Sequence, residues 1–360
     1  MRHPSLADCS RIVVKFGTGI LTDSRKLPDP AQMGQLVAQI AEARRTGHEV
    51  VLVSSGAVGA GMGALGFEKR PRELAALQAC AAVGQSRLMS QYDSLFLRHG
   101  LRVAQVLLTH GDLAEHDRHL NARNTLLTLL RHGVIPIINE NDVVSVTELK
   151  FGDNDRLSAL VACLLPADLL VILTSVDGVL QNYGHPDARV LPVVERIDAS
   201  IEAIAEGTRS ATAVGGMVTK IQAARIAVRA GIPVVIASGR REGTLGRILA
   251  GADEGTLFAP CPTKLRGRKR WIAFFQRPRG QVTVDAGARA ALCHGGKSLL
   301  LPGVARCDGA FAAGDLISIY DASGREFARG IAGLSAAQIR ARKRTRTEVV
   351  HRDDLVLLDL

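Results

Sequence analysis

From residue 11 to about residue 258 the chain repeats one pattern, a short apolar run rich in β-branched residues followed by a longer stretch with apolar residues at helical spacing. Strands separated each time by a helix-length crossover belong to a parallel sheet, because a tight turn can join only antiparallel neighbours. Runs that are apolar on both faces need cover above and below. The pattern therefore predicts an α/β fold, an αβα sandwich with a mostly parallel central sheet. Strands are expected at residues 12–16, 50–54, 103–108, 134–138, 169–173 and 233–236, with helices at residues 32–45, 73–97 and 119–132.

The character changes at residues 259–279, where Pro260, Pro262 and Pro278 accompany a basic cluster. Beyond it, short runs at residues 281–284, 298–301, 316–320 and 355–358 are spaced by Gly and Asp turns, as in a small β-barrel-like domain. The expected division is a catalytic α/β domain at 1–260, a basic linker at 261–279 and a β-rich domain at 280–360. The formal net charge of +10 is local: five basic residues at 264–270 and five at 340–346 account for it, and the other 35 basic residues match 35 acids. A nucleic-acid-binding face is thus confined to the C-terminal third.

Six scattered cysteines with no C-x-x-C pair argue against a disulfide framework or a zinc site. Residues 1–10 carry Arg2, His3 and Asp8 and lead directly into a strand, so no secretory leader is expected. No apolar run approaches a membrane span. A cytoplasmic protein without membrane attachment is expected.

Ligands in open α/β sheets bind beyond the carboxyl ends of the strands, so polar residues there carry the functional reading. Gly152-Asp153-Asn154-Asp155 opens an amphipathic helix, and Asn139-Glu140-Asn141-Asp142 directly follows an apolar strand. One acid is an ordinary N-cap; two acids and an amide exceed what a cap requires. Gly215-Gly216-Met217-Val218-Thr219-Lys220 opens a second helix, where backbone N–H groups and a lysine can meet phosphate oxygens, or where a flexible loop ends in a solvated lysine. Lys15, embedded in the first strand before Gly17-Thr18-Gly19, either snorkels to water or serves the strand end. Ser54-Ser55-Gly56-Ala57 closes the second strand and forms a simple turn or offers donors to a carboxylate. Gly61-Met62-Gly63-Ala64-Leu65-Gly66 fits a dinucleotide fingerprint in letters, but its strand has already ended and no acid follows about twenty residues on.

The motifs at Lys15 and at residues 54–57, 139–142, 152–155 and 215–220, with Leu120-Asn121-Ala122-Arg123, Arg268-Lys269-Arg270-Trp271-Ile272 and His351-Arg352-Asp353-Asp354, resemble the amino acid kinase family followed by a PUA domain. The resemblance covers nearly all of residues 11–354. It implies ATP-dependent phosphorylation of the side-chain carboxylate of L-glutamate to L-glutamyl 5-phosphate, the first step of proline synthesis. Another carboxylate or carbamate kinase of the family, such as an acetylglutamate or aspartate kinase, or an RNA-binding protein acting through the PUA domain, are the alternatives. An acylated amino group would not need the acidic residues Asp142 and Asp153.

The resemblance assigns catalysis to Lys15, Lys220 and Asp155, with Asp155 holding both lysines. It places substrate binding at Ser55, Asp142 and Asn154, and Asp153 is a further acid suited to the ammonium group of an amino-acid substrate. ATP would meet Lys15, Gly17, Thr174, Ser175, Val214, Gly215, Gly216, Met217, Val218, Thr219 and Lys220, bringing Mg2+ with its phosphates. The nucleotide region departs from the family at Ser175, where Asp is common, and at Val214, where Thr is common. The implied partners are L-glutamate, proline as feedback inhibitor, further copies of the chain in a dimer or tetramer, and a glutamyl phosphate reductase. RNA binding is left as a side activity.

Overall fold

A computed structural model describes residues 6, 8–23, 28–144, 154–207, 216–261, 267–341 and 347–358. They fall into two compact units, one within 1–112 and 117–264, the other within 113–116 and 265–360.

In the first unit the strands are β1 Arg11–Phe16, β2 Glu49–Val53, β3 Val103–Leu108, β4 Ile135–Glu140 and β5 Leu169–Thr174, a small hairpin β6 Leu180–Gln181 with β7 Arg189–Val190, then β8 Val193–Val194, β9 Val234–Ser238 and β10 Thr256–Phe258. Eight of them form one sheet in the order β3-β4-β2-β1-β5-β9-β10-β8. All pairings from β3 through to β9 are parallel. At the far edge β10 runs antiparallel to β9, with β8 parallel to β10. The parallel core puts the carboxyl ends of β1, β2, β4 and β5 along one edge.

The helices are α1 Thr18–Leu21, α2 Pro30–Arg45, α3 Ala57–Leu65, α4 Leu74–Leu97, α5 His110–Ala114, α6 His116–Arg131, α7 Asn154–Leu164, α8 Ala199–Gly207, α9 Met217–Arg229 and α10 Thr244–Leu249. Alternation sorts the strand residues between two layers. Ile12, Val14 and Phe16 of β1, Val50 and Leu52 of β2, and Ile135 and Ile137 of β4 share a core with Met33, Leu36, Val37 and Ile40 of α2 and Leu88, Tyr92 and Phe96 of α4. The opposite face of β1 meets α7, which packs in turn on α9.

In the Gly-x-Gly-x-x-Gly stretch, Gly61 and Gly63 lie in α3 and Gly66 caps its C-terminus, and Gly61 serves packing. A Cβ on Gly61 would sit 1.7 Å from the Cys80 carbonyl oxygen, and one on Gly84 would sit 1.7 Å from that of Ala57. Helices α3 and α4 therefore touch backbone to backbone. Gly61→Ala is expected to cost about 1–3 kcal/mol and to lower the melting midpoint by several degrees, measured by thermal denaturation. An unchanged midpoint would mean that the helices separate freely.

In the second unit α11 Gly267–Phe274 precedes β11 Gly280–Val284, α12 Ala286–Gly295, β12 Leu299–Leu300, β13 Val304–Gly309, β14 Leu316–Tyr320, β15 Glu326–Ile331, α13 Ala336–Arg340, β16 Glu348–Val350 and β17 Leu355–Leu357. The main sheet has the order β13-β11-β14-β15-β17, and β12 pairs with β16. Its core gathers Val282, Val284, Leu292, Ile317, Ile319, Phe327 and Val349. Helix α11 falls where the composition reads as a connecting segment; it buries Arg270, Ile272, Ala273 and Phe274 and packs on β15 and β17. All six thiols are free. Among the described residues no helix is long and apolar enough to cross a membrane.

Candidate active site

Lys15 alternates with Val14 and Phe16 on β1, so it projects from the face that α7 covers. There its Nζ lies 2.6 Å from Asp155 Oδ1. Lys220, on the first turn of α9, brings its Nζ to 3.1 Å from Asp155 Oδ2. The three side chains are 6 %, 2 % and 7 % exposed for Lys15, Asp155 and Lys220. Two ammonium groups drawn from positions 205 residues apart thus share one buried carboxylate.

Thr219 completes the cluster, donating from Oγ1 to Asp155 Oδ2 at 2.7 Å. The same hydroxyl oxygen lies 2.9 Å from the Gly216 carbonyl oxygen. Burial alone would raise the Asp155 pKa, but the charges of Lys15 and Lys220 and the Thr219 hydrogen bond outweigh it and hold the carboxyl at about 2. Asp155 is therefore anionic at neutral pH and acts as a counter-ion, unsuited to accepting a proton. The triad carries a net charge of +1.

Gly216 caps α9 without a side-chain bond, leaving first-turn N–H groups at the positive end of the helix dipole beside Lys220. Met217 is buried, and Gly216 and Val218 are half-buried. Thr174 ends β5 and its carbonyl accepts from Gly239 N–H at 2.8 Å. Ser175 follows, close to Gly19: a Cβ on that glycine would lie 3.5 Å from Ser175 Oγ. The N–H of Gly17, one of the residues assigned above to ATP, donates to the Leu173 carbonyl at 3.0 Å. Val214, Gly215 and Asp153 lie outside the described residues.

A second polar group adjoins the triad through the neighbouring residue Asn154. Its Nδ2 donates to Ser55 Oγ at 3.0 Å and to Asn139 Oδ1 at 2.9 Å. Gly56 has φ 101°, and its left-handed turn ends β2 and starts α3 immediately after Ser55. Ser54 Oγ, on the other face, shares a 2.8 Å hydrogen bond with the fully buried Tyr92 hydroxyl. Asp142 sits in the turn after β4.

The geometry thus joins Lys15, Asp155, Thr219 and Lys220 in one cluster and Ser55 with Asn154 in the adjoining one. Sequence reasoning included Asn139 in the polar run at the end of β4 without giving it a role, and did not single out Gln85 on α4, which accepts from Asn139 Nδ2 at 2.8 Å. The one available signal for Asn139 was an amide ending an otherwise apolar strand. Among the described residues no group of three or more His, Cys, Asp or Glu is arranged to hold a metal ion.

A cation pair around a counter-ion, beside an uncapped helix N-terminus, suits transfer of an anionic group to an anionic acceptor. The amino acid kinase family matches residues 10–238, and the PUA domain matches residues 280–353. The glutamate 5-kinase of Moorella thermoacetica is 47% identical, covering 98% of this chain and 98% of the relative. That of Ralstonia nicotianae is 48% identical with the same coverage of both, 98% and 98%. The carbamate kinase from Giardia lamblia bound to AMP-PNP superposes with a TM-score of 0.52 at 22% identity, covering 71% of this chain and 100% of that one. This last likeness speaks to the fold.

Proposed function

The chain belongs to the amino acid kinase family, and from that premise we propose that it transfers the γ-phosphoryl group of MgATP to the side-chain carboxylate of L-glutamate. The products are ADP and L-glutamyl 5-phosphate, as the names of the near-full-length relatives suggest. The observation that carries the chemistry is the Lys15–Asp155–Lys220 cluster.

A glutamate side chain has an unperturbed pKa near 4.3, so about neutral pH it is already a nucleophile and needs no general base. The difficulty is repulsion between the carboxylate and the triphosphate. Two buried ammonium groups offset that repulsion and stabilise charge spread over the phosphoryl oxygens in the transition state. One carboxylate oxygen forms the new bond to phosphorus as the bond to the ADP oxygen breaks. Asp155 keeps the two lysines apart at a fixed spacing and limits the cost of burying them.

Ser55 and Asn154 supply a donor and an acceptor to the amino-acid end of glutamate, with Asp142 and Asp153 adding negative charge for its ammonium group. On the nucleotide side, Thr174, Ser175 and residues 216–220 line the proposed ATP path, Val214 and Gly215 are assigned to it by the resemblance, and Mg2+ enters on the phosphates. Feedback inhibition by proline, a homo-oligomer and coupling to a glutamyl phosphate reductase complete the proposal on family grounds; RNA binding is a minor reading.

Hydroxylamine trapping of the acyl phosphate tests the substrate. Glutamate is expected to give hydroxamate while acetylglutamate and aspartate give little. Hydroxamate from either of those in place of glutamate would replace the substrate assignment.

A further inference from the structure

The proposed glutamate site rests on a relay of side-chain amides that extends past any residue able to touch substrate. Asn139, buried at the carboxyl end of β4, accepts through Oδ1 from the Glu140 N–H at 3.0 Å and from Asn154 Nδ2 at 2.9 Å. Its own Nδ2 donates to Gln85 Oε1 at 2.8 Å. Gln85 passes the relay on, donating from Nε2 to Gln105 Oε1 at 3.1 Å. At the other end Asn154 Nδ2 also donates to Ser55 Oγ, so both of its amide hydrogens are committed.

One fixed group sets the direction of every bond. A backbone N–H can only donate, so the edge of Asn139 that meets Glu140 must be its oxygen. Its NH2 then faces α4, where only an acceptor satisfies it, and Gln85 Oε1 is that acceptor. With the Asn139 oxygen placed, Asn154 turns its NH2 toward Asn139 and Ser55. Asn154 Oδ1 is left buried and without a hydrogen-bond partner among the described residues. Ser55 Oγ is already an acceptor in the relay, so its hydroxyl proton remains to be donated. An unfilled acceptor beside an available donor matches the ammonium and carboxylate of an amino acid.

We propose that Gln85 is a positioning residue for the amino-acid substrate, fixing the amide of Asn139 and through it the acceptor on Asn154 and the donor on Ser55. This deepens the glutamate reading above and rests on it. Without an acceptor at position 85 the buried Asn139 NH2 has no partner, and inverting that amide would set it against the Glu140 N–H. The relay has no satisfied alternative, so the orientation of Asn154 loosens.

The test is steady-state kinetics of the full chain with glutamate and hydroxylamine, comparing Gln85→Met with Gln85→Glu. The methionine loses the acceptor. The glutamate keeps it, and Gln105, which is exposed, can turn its amide to donate to the new carboxylate. Gln85→Met is expected to raise the KM for glutamate about tenfold while the KM for ATP stays within about twofold; Gln85→Glu should restore most of the difference. Gln85→Ala carries the same expectation should the methionine variant fail to fold. A glutamate KM unchanged in Gln85→Met, an ATP KM rising in step, or a Gln85→Glu variant as impaired as Gln85→Met would each overturn the relay. Wild-type protein giving no hydroxamate from glutamate would instead overturn the substrate reading beneath it.

Discussion

Lys220→Met is expected to lower kcat about a thousandfold while leaving the KM for glutamate within a few fold. The ammonium sits 3.1 Å from Asp155, on the first turn of a helix whose N–H groups open toward the proposed phosphate path. Ser55 and Asn154, which would hold the amino-acid end, form a separate cluster. A charge in that position matters most when the phosphoryl group is between its two oxygens, so its loss raises the barrier more than it weakens ground-state binding. Stability should change little, because Asp155 keeps its 2.6 Å pairing with Lys15 and the cluster moves from a net +1 to neutral. Initial rates across glutamate concentrations, with a melting curve on the same sample, measure both. A kcat within about tenfold of wild type, or a glutamate KM rising as steeply as kcat falls, would remove Lys220 from the transfer step.

The central sheet was legible because burial on both faces leaves few ways to write a parallel strand. Residues 103–108 and 169–173 read as strands, and the structure has β3 at Val103–Leu108 and β5 at Leu169–Thr174. The antiparallel edge was not legible, since β10 spans three residues, Thr256–Phe258, and β8 two, Val193–Val194, too short for periodicity to register. Helix α11 was hidden by its charge: Arg268, Lys269 and Arg270 make the segment read as solvated, yet Ile272, Ala273 and Phe274 are buried.

The site divides along the same line. Lys15 announced itself by contradicting its surroundings, a cation inside an apolar strand, and Asp155 by exceeding what a cap needs. Their meeting with Lys220 is a tertiary fact that the family resemblance carried. Gln85 gave no warning. On α4 it is one polar residue of an amphipathic helix, and only the register of that helix against β4 turns it toward Asn139. Tyr92, two turns further along, reads as core and is core, yet its hydroxyl meets Ser54 beside the site; burial pushes that phenol upward, so it takes part as a neutral group.

Asp155→Asn is expected to abolish most activity, about a thousandfold or more in kcat, and also to lower the melting midpoint by roughly 10 °C. The amide preserves shape and removes the carboxylate charge that both Lys15 and Lys220 contact, leaving two ammonium groups, 6 % and 7 % exposed, near one another without it. Removing one partner of a buried ionic cluster costs about 3–5 kcal/mol because the charges left behind are uncompensated. The pH dependence follows from the carboxyl, whose folded pKa of about 2 lies below its unfolded value of about 3.9. Its contribution is fully present above pH ~4 and is lost as the pH falls through ~2, so the acid-induced drop in melting midpoint across that window should be shallower in Asp155→Asn than in wild type. Adding Lys220→Met to Asp155→Asn removes one of the two opposed cations. The double variant should therefore melt higher than Asp155→Asn alone while remaining inactive, since the one cation left in the cluster, Lys15, no longer faces a like charge and the paired cations that guide phosphate are gone. Differential scanning calorimetry of wild type and these two variants decides it: an Asp155→Asn midpoint equal to wild type, or a double variant no more stable than the single one, would show that Asp155 is not the counter-ion on which both lysines depend.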